Sequence, residues 1–437
     1  MARGAKRPKA AARARPRRRP APSTRRQPDE DIADLAASLH QVLEVAFRQA
    51  KGLSRSGDPL DAEIAASSLL ALWSGPEMVD EPDPAAFFGR AMIAFLEERA
   101  SPDALALLLG FSAVDMGRTT LESHRAIRGL TAAGVTAPSW RSISGRARLE
   151  HAWLSTDPYG DQDFLVGRFS YLGEGAHDLC VLVDHNILDI VKDIGLVPAS
   201  EDMRARWEQQ PDLSVRDLDA HEYADRVSDA LACLDTTWEP PITEDARLLR
   251  PLLEARLHFL PRARPVKRRA VSQAARDRLY TAFRRSAPGR ALGRDTGLAR
   301  ILIDYAADYY SDGLHWSPIV VELFLTDWLP HRVSLRDEDV ERLPDVLQAW
   351  LRFVGEQRGF GDRLTREMLD AVAEHTEAFR TAMRDSSAFG PAKSVATQMQ
   401  ADGVDLSDPA SVEAWIDAFN ARPLEERVNL TGGRRRD

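Results

Sequence analysis

Hydrophobic positions recur with a helical period over most of this chain and with a strand period over one short stretch. Ile32, Leu35, Leu39, Val42, Leu43 and Phe47 fall mostly three and four residues apart, which predicts a helix from Asp29 with one apolar stripe. Asp58-Pro59, Asp83-Pro84 and Ser101-Pro102 predict three further helix starts. In each, a side-chain oxygen can accept an unpaired first-turn N–H, and the proline sits where no N–H is needed. A fifth helix is expected over Arg118 to Ala133. The cap spacings differ, so no repeat is implied.

Between Ser139 and Pro261 the pattern changes. Phe164 to Leu172 is rich in strand formers, and Gly173-Glu174-Gly175 carries turn chemistry. In Asp178 to Val183, Leu179, Val181 and Val183 alternate with Cys180 and Leu182. Apolar residues on both faces predict a buried strand, and the two runs predict a hairpin over 164–183. A helical stretch is expected from Ile187 to Ile194, with Asp184 and Asn186 capping it, and another helix from Arg216 to Leu234.

Beyond residue 262 the helical period returns. Ser272 to Ser286 predicts a helix with Leu279, Tyr280 and Phe283 as its stripe. Ser317-Pro318 starts a helix through Leu329 that is apolar nearly all round and should be buried. Its Glu322 and Asp327 should then be paired, with Arg352, His331 and Arg332 as candidate partners. Pro344, Thr365, Gly390-Pro391 and Asp408-Pro409 punctuate further helices, with Trp350, Phe353, Phe379, Trp415 and Phe419 as core candidates. The expected fold is α+β and predominantly helical. A basic tail, 1–28, precedes a helical domain, 29–135. An α+β segment, 136–261, and a basic linker and helix, 262–300, lead to an all-helical domain, 301–430.

Charge changes this picture. The 437 residues carry a formal −9. The first 26 hold 11 Lys and Arg and no acid, while residues 262–300 hold 12 basic residues against Asp277 and Asp295. Setting aside the +11 and +10 of these segments leaves about −30 on the remainder. Such segregation bears on steering and partners rather than on reaction chemistry. The tail has almost no large apolar side chains and is expected to be disordered. Arg17, Arg18 and Arg19 in the tail, and Arg268, Arg269, Arg284 and Arg285 in the belt, are candidates to contact nucleic acid or an acidic partner. The opposing reading pairs the belt arginines with the acidic body. The 52 arginines against six lysines also carry a high-GC codon signature.

The composition bounds the setting. Two cysteines, Cys180 and Cys233, argue against a disulfide framework or a thiolate zinc site. The longest uncharged apolar run, Ala104 to Val114, falls well short of the ~20 residues that span a bilayer. The basic N-terminus lacks an apolar secretion segment. A cytoplasmic location without membrane contact is therefore expected.

Candidate chemistry centres on His177, Asp178, Asp184, His185, Asp189 and Asp193, whose nitrogen and oxygen donors suit zinc, manganese or iron. Strand length sets His177 and Asp184 at opposite ends, so a reduced site of Asp184, His185 and Asp189 remains as the catalytic or metal-binding candidate. A second pattern, His151, His177-Asp178 and Asp219 or Asp225, has the composition of a His-Asp phosphohydrolase but not its helical setting. There is no phosphate loop and no nucleophile elbow. Two function classes stay open: a non-enzymatic interaction or regulatory protein, and a metal-dependent, hydrolase-like enzyme.

Two passages carry a resemblance. One is the strand followed by Asp184-His185-Asn186 and Lys192-Asp193. The other is Trp316-Ser317-Pro318, Val321-Glu322, Asp327-Trp328-Leu329-Pro330 and Gly390-Pro391-Ala392-Lys393-Ser394. Together they resemble a family of uncharacterised high-GC actinobacterial proteins with no known activity, over most of residues 100–425. The resemblance implies a shared architecture and assigns no catalytic residue.

Overall fold

The computed structural model describes residues 28–72, 84–115, 117, 119–261, 270–293, 296–385, 389–405, 408–423 and 426–427. Arg17, Arg18, Arg19, Arg268 and Arg269 lie outside them, as does Asp83. The described residues up to Lys51 belong to one unit and those from Gly52 to another. The first contains α1, Pro28–Gln49, in which Leu43 and Ala46 are buried while Val42 of the expected stripe is exposed.

The second unit begins with α2 (Pro59–Ala71), α3 (Pro84–Arg99), α4 (Pro102–Val114) and α5 (Thr120–Ala132). Asp58 and Ser101 cap α2 and α4 as their sequence predicts, accepting from the N–H groups of Leu60 and Ala104. Helix α4 is buried nearly all round, and Gly110 lets it close on α2. A Cβ there would stand 2.2 Å from the Ala62 carbonyl oxygen.

A five-stranded antiparallel sheet follows: β1 (Ala147–Thr156), β2 (Gln162–Tyr171), β3 (Glu174–Asp184), β4 (Ile190–Pro198) and β5 (Ser214–Leu218), in the order β4-β3-β2-β1-β5. The two predicted strand runs form β2 and β3, except that Leu172 belongs to the turn and Glu174 and Gly175 of the expected turn open β3. The turn between them is Leu172-Gly173, both left-handed, with φ of 57° and 92°, the geometry that matches strand twist in a two-residue hairpin. Leu179, Val181 and Val183 face a core built with Tyr223, Val227, Leu231 and Leu253, from α7 (Ala220–Thr236) and α8 (Glu244–His258), which follow the short α6 (Glu201–Glu208).

The helix expected from Ile187 to Ile194 is absent. Residues 185–189 form a turn, and Ile190 onward is β4, paired to β3 from Asp184↔Ile190 to His177↔Pro198. Ile187, Ile190, Val191 and Ile194 have helical spacing. Pairing of the backbone with β3, with a register shift at Lys192, buries the last three in the sheet core, so tertiary context overrides the period. The expected helix from Arg216 likewise begins only at Ala220, because Arg216 belongs to β5.

The remaining elements are α9 (Gln273–Arg285), α10 (Ala287–Ala291), α11 (Ala299–Tyr309), α12 (Pro318–Leu323), α13 (Leu329–Arg332), α14 (Asp337–Arg358), α15 (Asp362–Arg384), α16 (Pro391–Ala401) and α17 (Pro409–Asn420). Ser272 and Ser317 cap α9 and α12. A wide helical turn, Phe324–Trp328, joins α12 to α13. Phe283, Trp316, Phe324, Trp350, Phe353 and Phe379 fill their core. Three expectations are corrected here. Glu322 and Asp327 are exposed rather than buried, though of the candidate partners His331 does meet Asp327, Nδ1 to Oδ1 at 3.4 Å. Pro344 and Thr365 lie inside α14 and α15 rather than at their ends. Trp415 and Phe419 stack on each other and stay partly exposed, with Trp415 Nε1 donating to Asp402. The fold is α+β and predominantly helical, and no described helix is long and apolar enough to cross a membrane.

Candidate functional site

The site is built where β1–β2 and β3–β4 turn at one end of the sheet. Asp157 shapes the first turn: its carboxylate accepts from the N–H groups of Tyr159 (2.9 Å), Gly160 (3.2 Å) and Gln162 (2.5 Å). Burial outweighs these bonds and, with the nearby Asp161 charge, raises its pKa. The turn presents Tyr159, whose hydroxyl donates to Glu367 Oε2 at 2.7 Å and lies 3.1 Å from the Leu364 carbonyl on α15. Asp161 meets His315 Nε2 at 3.2 Å, and Tyr310 stacks on that imidazole at 4.4 Å.

The second turn holds His185. Its backbone N–H donates to the Asp161 carbonyl at 2.9 Å. Its Nδ1 meets Asp189 Oδ1, and its Nε2 lies 3.3 Å from Asp163 Oδ2. Burial disfavours the imidazolium, but the bonds to Asp163 and Asp189 prevail and push its pKa up to about 9. Asp163 also accepts from Thr156 Oγ1 at 2.7 Å and Arg226 Nη1 at 3.2 Å. Leu188 and Asp189 are both left-handed, at φ 58° and 55°. This conformation is costly for leucine, and here it brings the Asp189 carboxylate back onto His185.

The six-residue constellation read from the sequence is thereby divided. His185 and Asp189 meet, on a turn rather than a helix. Asp184 points elsewhere: Oδ2 accepts from Lys192 Nζ at 2.6 Å and Oδ1 from the Asn186 N–H at 2.9 Å. It closes a turn and an ion pair, so the expected helix cap is corrected. Asp193 accepts from Thr243 Oγ1 and the Ile194 N–H. Asp178 takes both arms of Arg168, at 2.7 and 2.9 Å, and Arg168 covers Trp153 and bonds the Ser200 carbonyl.

His177 joins a fully buried network that sequence reading missed. Glu63 Oε2 accepts from Tyr171 Oη and Arg256 Nη2, each at 2.6 Å, and Oε1 accepts from the Gly145 N–H. His177 Nδ1 donates to the Gly175 carbonyl at 3.1 Å, which leaves Nε2 facing Arg256 Nη2 at 3.4 Å. Burial, then the Arg256 charge, lowers the His177 pKa, so the ring is neutral. Network and turn thus treat their histidines oppositely. Among the described residues, no three His, Cys, Asp or Glu side chains are arranged to hold a metal ion. Neither cysteine is in a disulfide, and burial pushes the Cys180 thiol up to about 11. This is the reverse of an activated nucleophile.

The belt divides too. Arg276 turns inward and pairs with Asp304 (3.0 Å) and Asp308, while Arg300 pairs with Asp277 (2.9 Å) and covers the Tyr280 ring. Arg278, Arg284 and Arg285 stay exposed on α9 without an acidic partner among the described residues. The D-x-x-x-D-x-D spacing of Asp157, Asp161 and Asp163 was the one signal that could have marked the sheet-end site. Glu63 and Arg256, 193 positions apart, gave none. No family model, curated protein or solved structure matches this chain.

Proposed function

We propose that this is a cytoplasmic, non-enzymatic interaction protein whose basic N-terminal arm contacts nucleic acid or an acidic partner. The observation that carries the reading is the segregation of charge: 11 basic residues and no acid in the first 26, on a chain of net −9. An arm of this kind releases counterions from a polyanion without needing a shaped pocket. The site geometry supports the same reading. Asp178, Asp184 and His185 are each engaged by a partner from the fold, Arg168, Lys192 and the Asp163–Asp189 pair, and each bond shapes a strand or a turn. A metal-dependent reaction at Asp184, His185 and Asp189 would require His185 to turn away from two carboxylates, since both ring nitrogens are engaged. One tightly held metal per chain, lost on His185→Ala, would support that alternative.

The test is fluorescence anisotropy at low salt with random duplex DNA, a single strand and polyglutamate, using the full chain and a chain lacking residues 1–27. The reading expects polyanion binding that falls sharply on truncation. Failure of the full chain to bind any of the three overturns it.

A further inference from the structure

The arm is not the only basic surface. Helix α9 separates its arginines by face. Arg276 lies against the fold with two aspartates, whereas Arg278, Arg284 and Arg285 point to solvent. Arg278 and Arg285 are seven residues apart, about 10.5 Å along one side of the helix. Thr281 and Ala282 lie between them, and these short side chains leave an open groove of about 580 Å³. Its one lining acid among the described residues, Asp277, is paired to Arg300. Arg290, exposed on α10, donates to the Arg285 carbonyl and extends the basic surface past the helix end.

We infer that the solvent side of α9, with Arg278 and Arg285 lining the groove and Arg284 and Arg290 flanking it, is a docking surface for the phosphate backbone of duplex nucleic acid. The inference rests on the polyanion-binding reading above and adds a folded contact to it. Charge complementarity selects an anionic occupant: none of these arginines has a carboxylate partner among the described residues, and the acid beside them is already engaged. The lining selects a duplex over a single strand. No aromatic ring lines the groove, so there is no platform on which unpaired bases could stack. Small residues between widely spaced guanidinium groups instead suit a rigid, regularly charged backbone. A contact made to phosphates carries no sequence information directly, so binding is expected to be independent of sequence.

The test uses the full chain and three charge-neutralising variants: R278Q/R284Q/R285Q on α9, R17Q/R18Q/R19Q in the arm, and both together. Affinity for a random 20-base-pair duplex, a single strand and polyglutamate is followed against salt. The α9 variant is expected to weaken duplex binding and to reduce the slope of log K on log salt by about 3, close to 0.9 per charge removed. It should keep the melting temperature, since these side chains are exposed. Thr281→Glu, which places a carboxylate in the groove, should weaken duplex binding independently and serves if the triple variant misfolds. An unchanged slope in the α9 variant, with binding lost only in the arm variant, overturns the inference and leaves the arm reading standing. A parent chain that prefers polyglutamate or the single strand assigns the surface to another partner and overturns it. A parent chain that binds none of the three overturns both.

Discussion

Arg256 and Glu63 meet at 2.6 Å with both side chains buried, joining α8 to α2 beneath the end of the sheet. Tyr171 and His177 complete the arrangement from β2 and β3. A buried pair of this kind adds little over a well-packed apolar substitute, but breaking it leaves an uncompensated charge. Glu63→Gln is therefore expected to cost about 3–5 kcal/mol in urea denaturation. Replacing both partners, Glu63→Leu with Arg256→Met, should cost less than the single change. A double variant as damaged as the single one would show that the network does more than neutralise Arg256.

His185 gives stability a defined pH window. Its pKa is about 9 in the fold against 6.5 for the free side chain, so folding is linked to proton uptake. The contribution is complete below pH 6.5 and is lost as pH rises through 9. Its upper limit is about 3 kcal/mol, since each pKa unit corresponds to about 1.4 kcal/mol. In His185→Gln the fall in denaturation midpoint between pH 7 and 9.5 should flatten. An unchanged slope would assign the titration to another group.

Gly110 sits where α4 crosses α2, and a methyl group there would meet the Ala62 carbonyl carbon at 2.6 Å and its oxygen at 2.2 Å. The obstacle is backbone, so the helices must separate. Gly110→Ala is expected to cost at least about 3 kcal/mol, at the upper end of overpacking effects. A loss below about 1 kcal/mol would show that α2 can shift without penalty.

Removal of residues 1–27 should leave the melting temperature unchanged, because this segment has almost no large apolar side chains to bury. A clear fall would place the arm on the acidic body and remove it from the pool of free positive charge.

Much of the fold was legible because local chemistry and tertiary packing agree. The Asp58-Pro59, Ser101-Pro102, Ser272 and Ser317 signals all fall at helix starts, since capping depends on neighbours in sequence. The β2–β3 pair was visible because both faces of β3 are apolar. β1 was not: its apolar positions are interrupted at Glu150, where the register against β2 shifts. β4 was misread because Ile187, Ile190, Val191 and Ile194 have helical spacing, while the register shift against β3 that accommodates the last three in a strand has no local signature. In the site, His185 and Asp189 were placed together correctly, but through a left-handed turn at Leu188 that no residue type announces. Asp163, which meets Nε2 of His185, and Arg256, which bonds Glu63 and Tyr171 beside His177, come from distant strands and helices. Only the fold brings them there.

The excess of positive charge in the first 26 residues and the exposed arginines of α9 together underlie the proposal that the protein binds polyanions. The most direct test is the salt dependence of full-chain binding to random duplex DNA. The account expects weak, sequence-independent affinity that falls steeply and linearly in log K against log salt, by several charges' worth of counterion release. Absence of binding at low salt, or affinity that barely changes with salt, would contradict it.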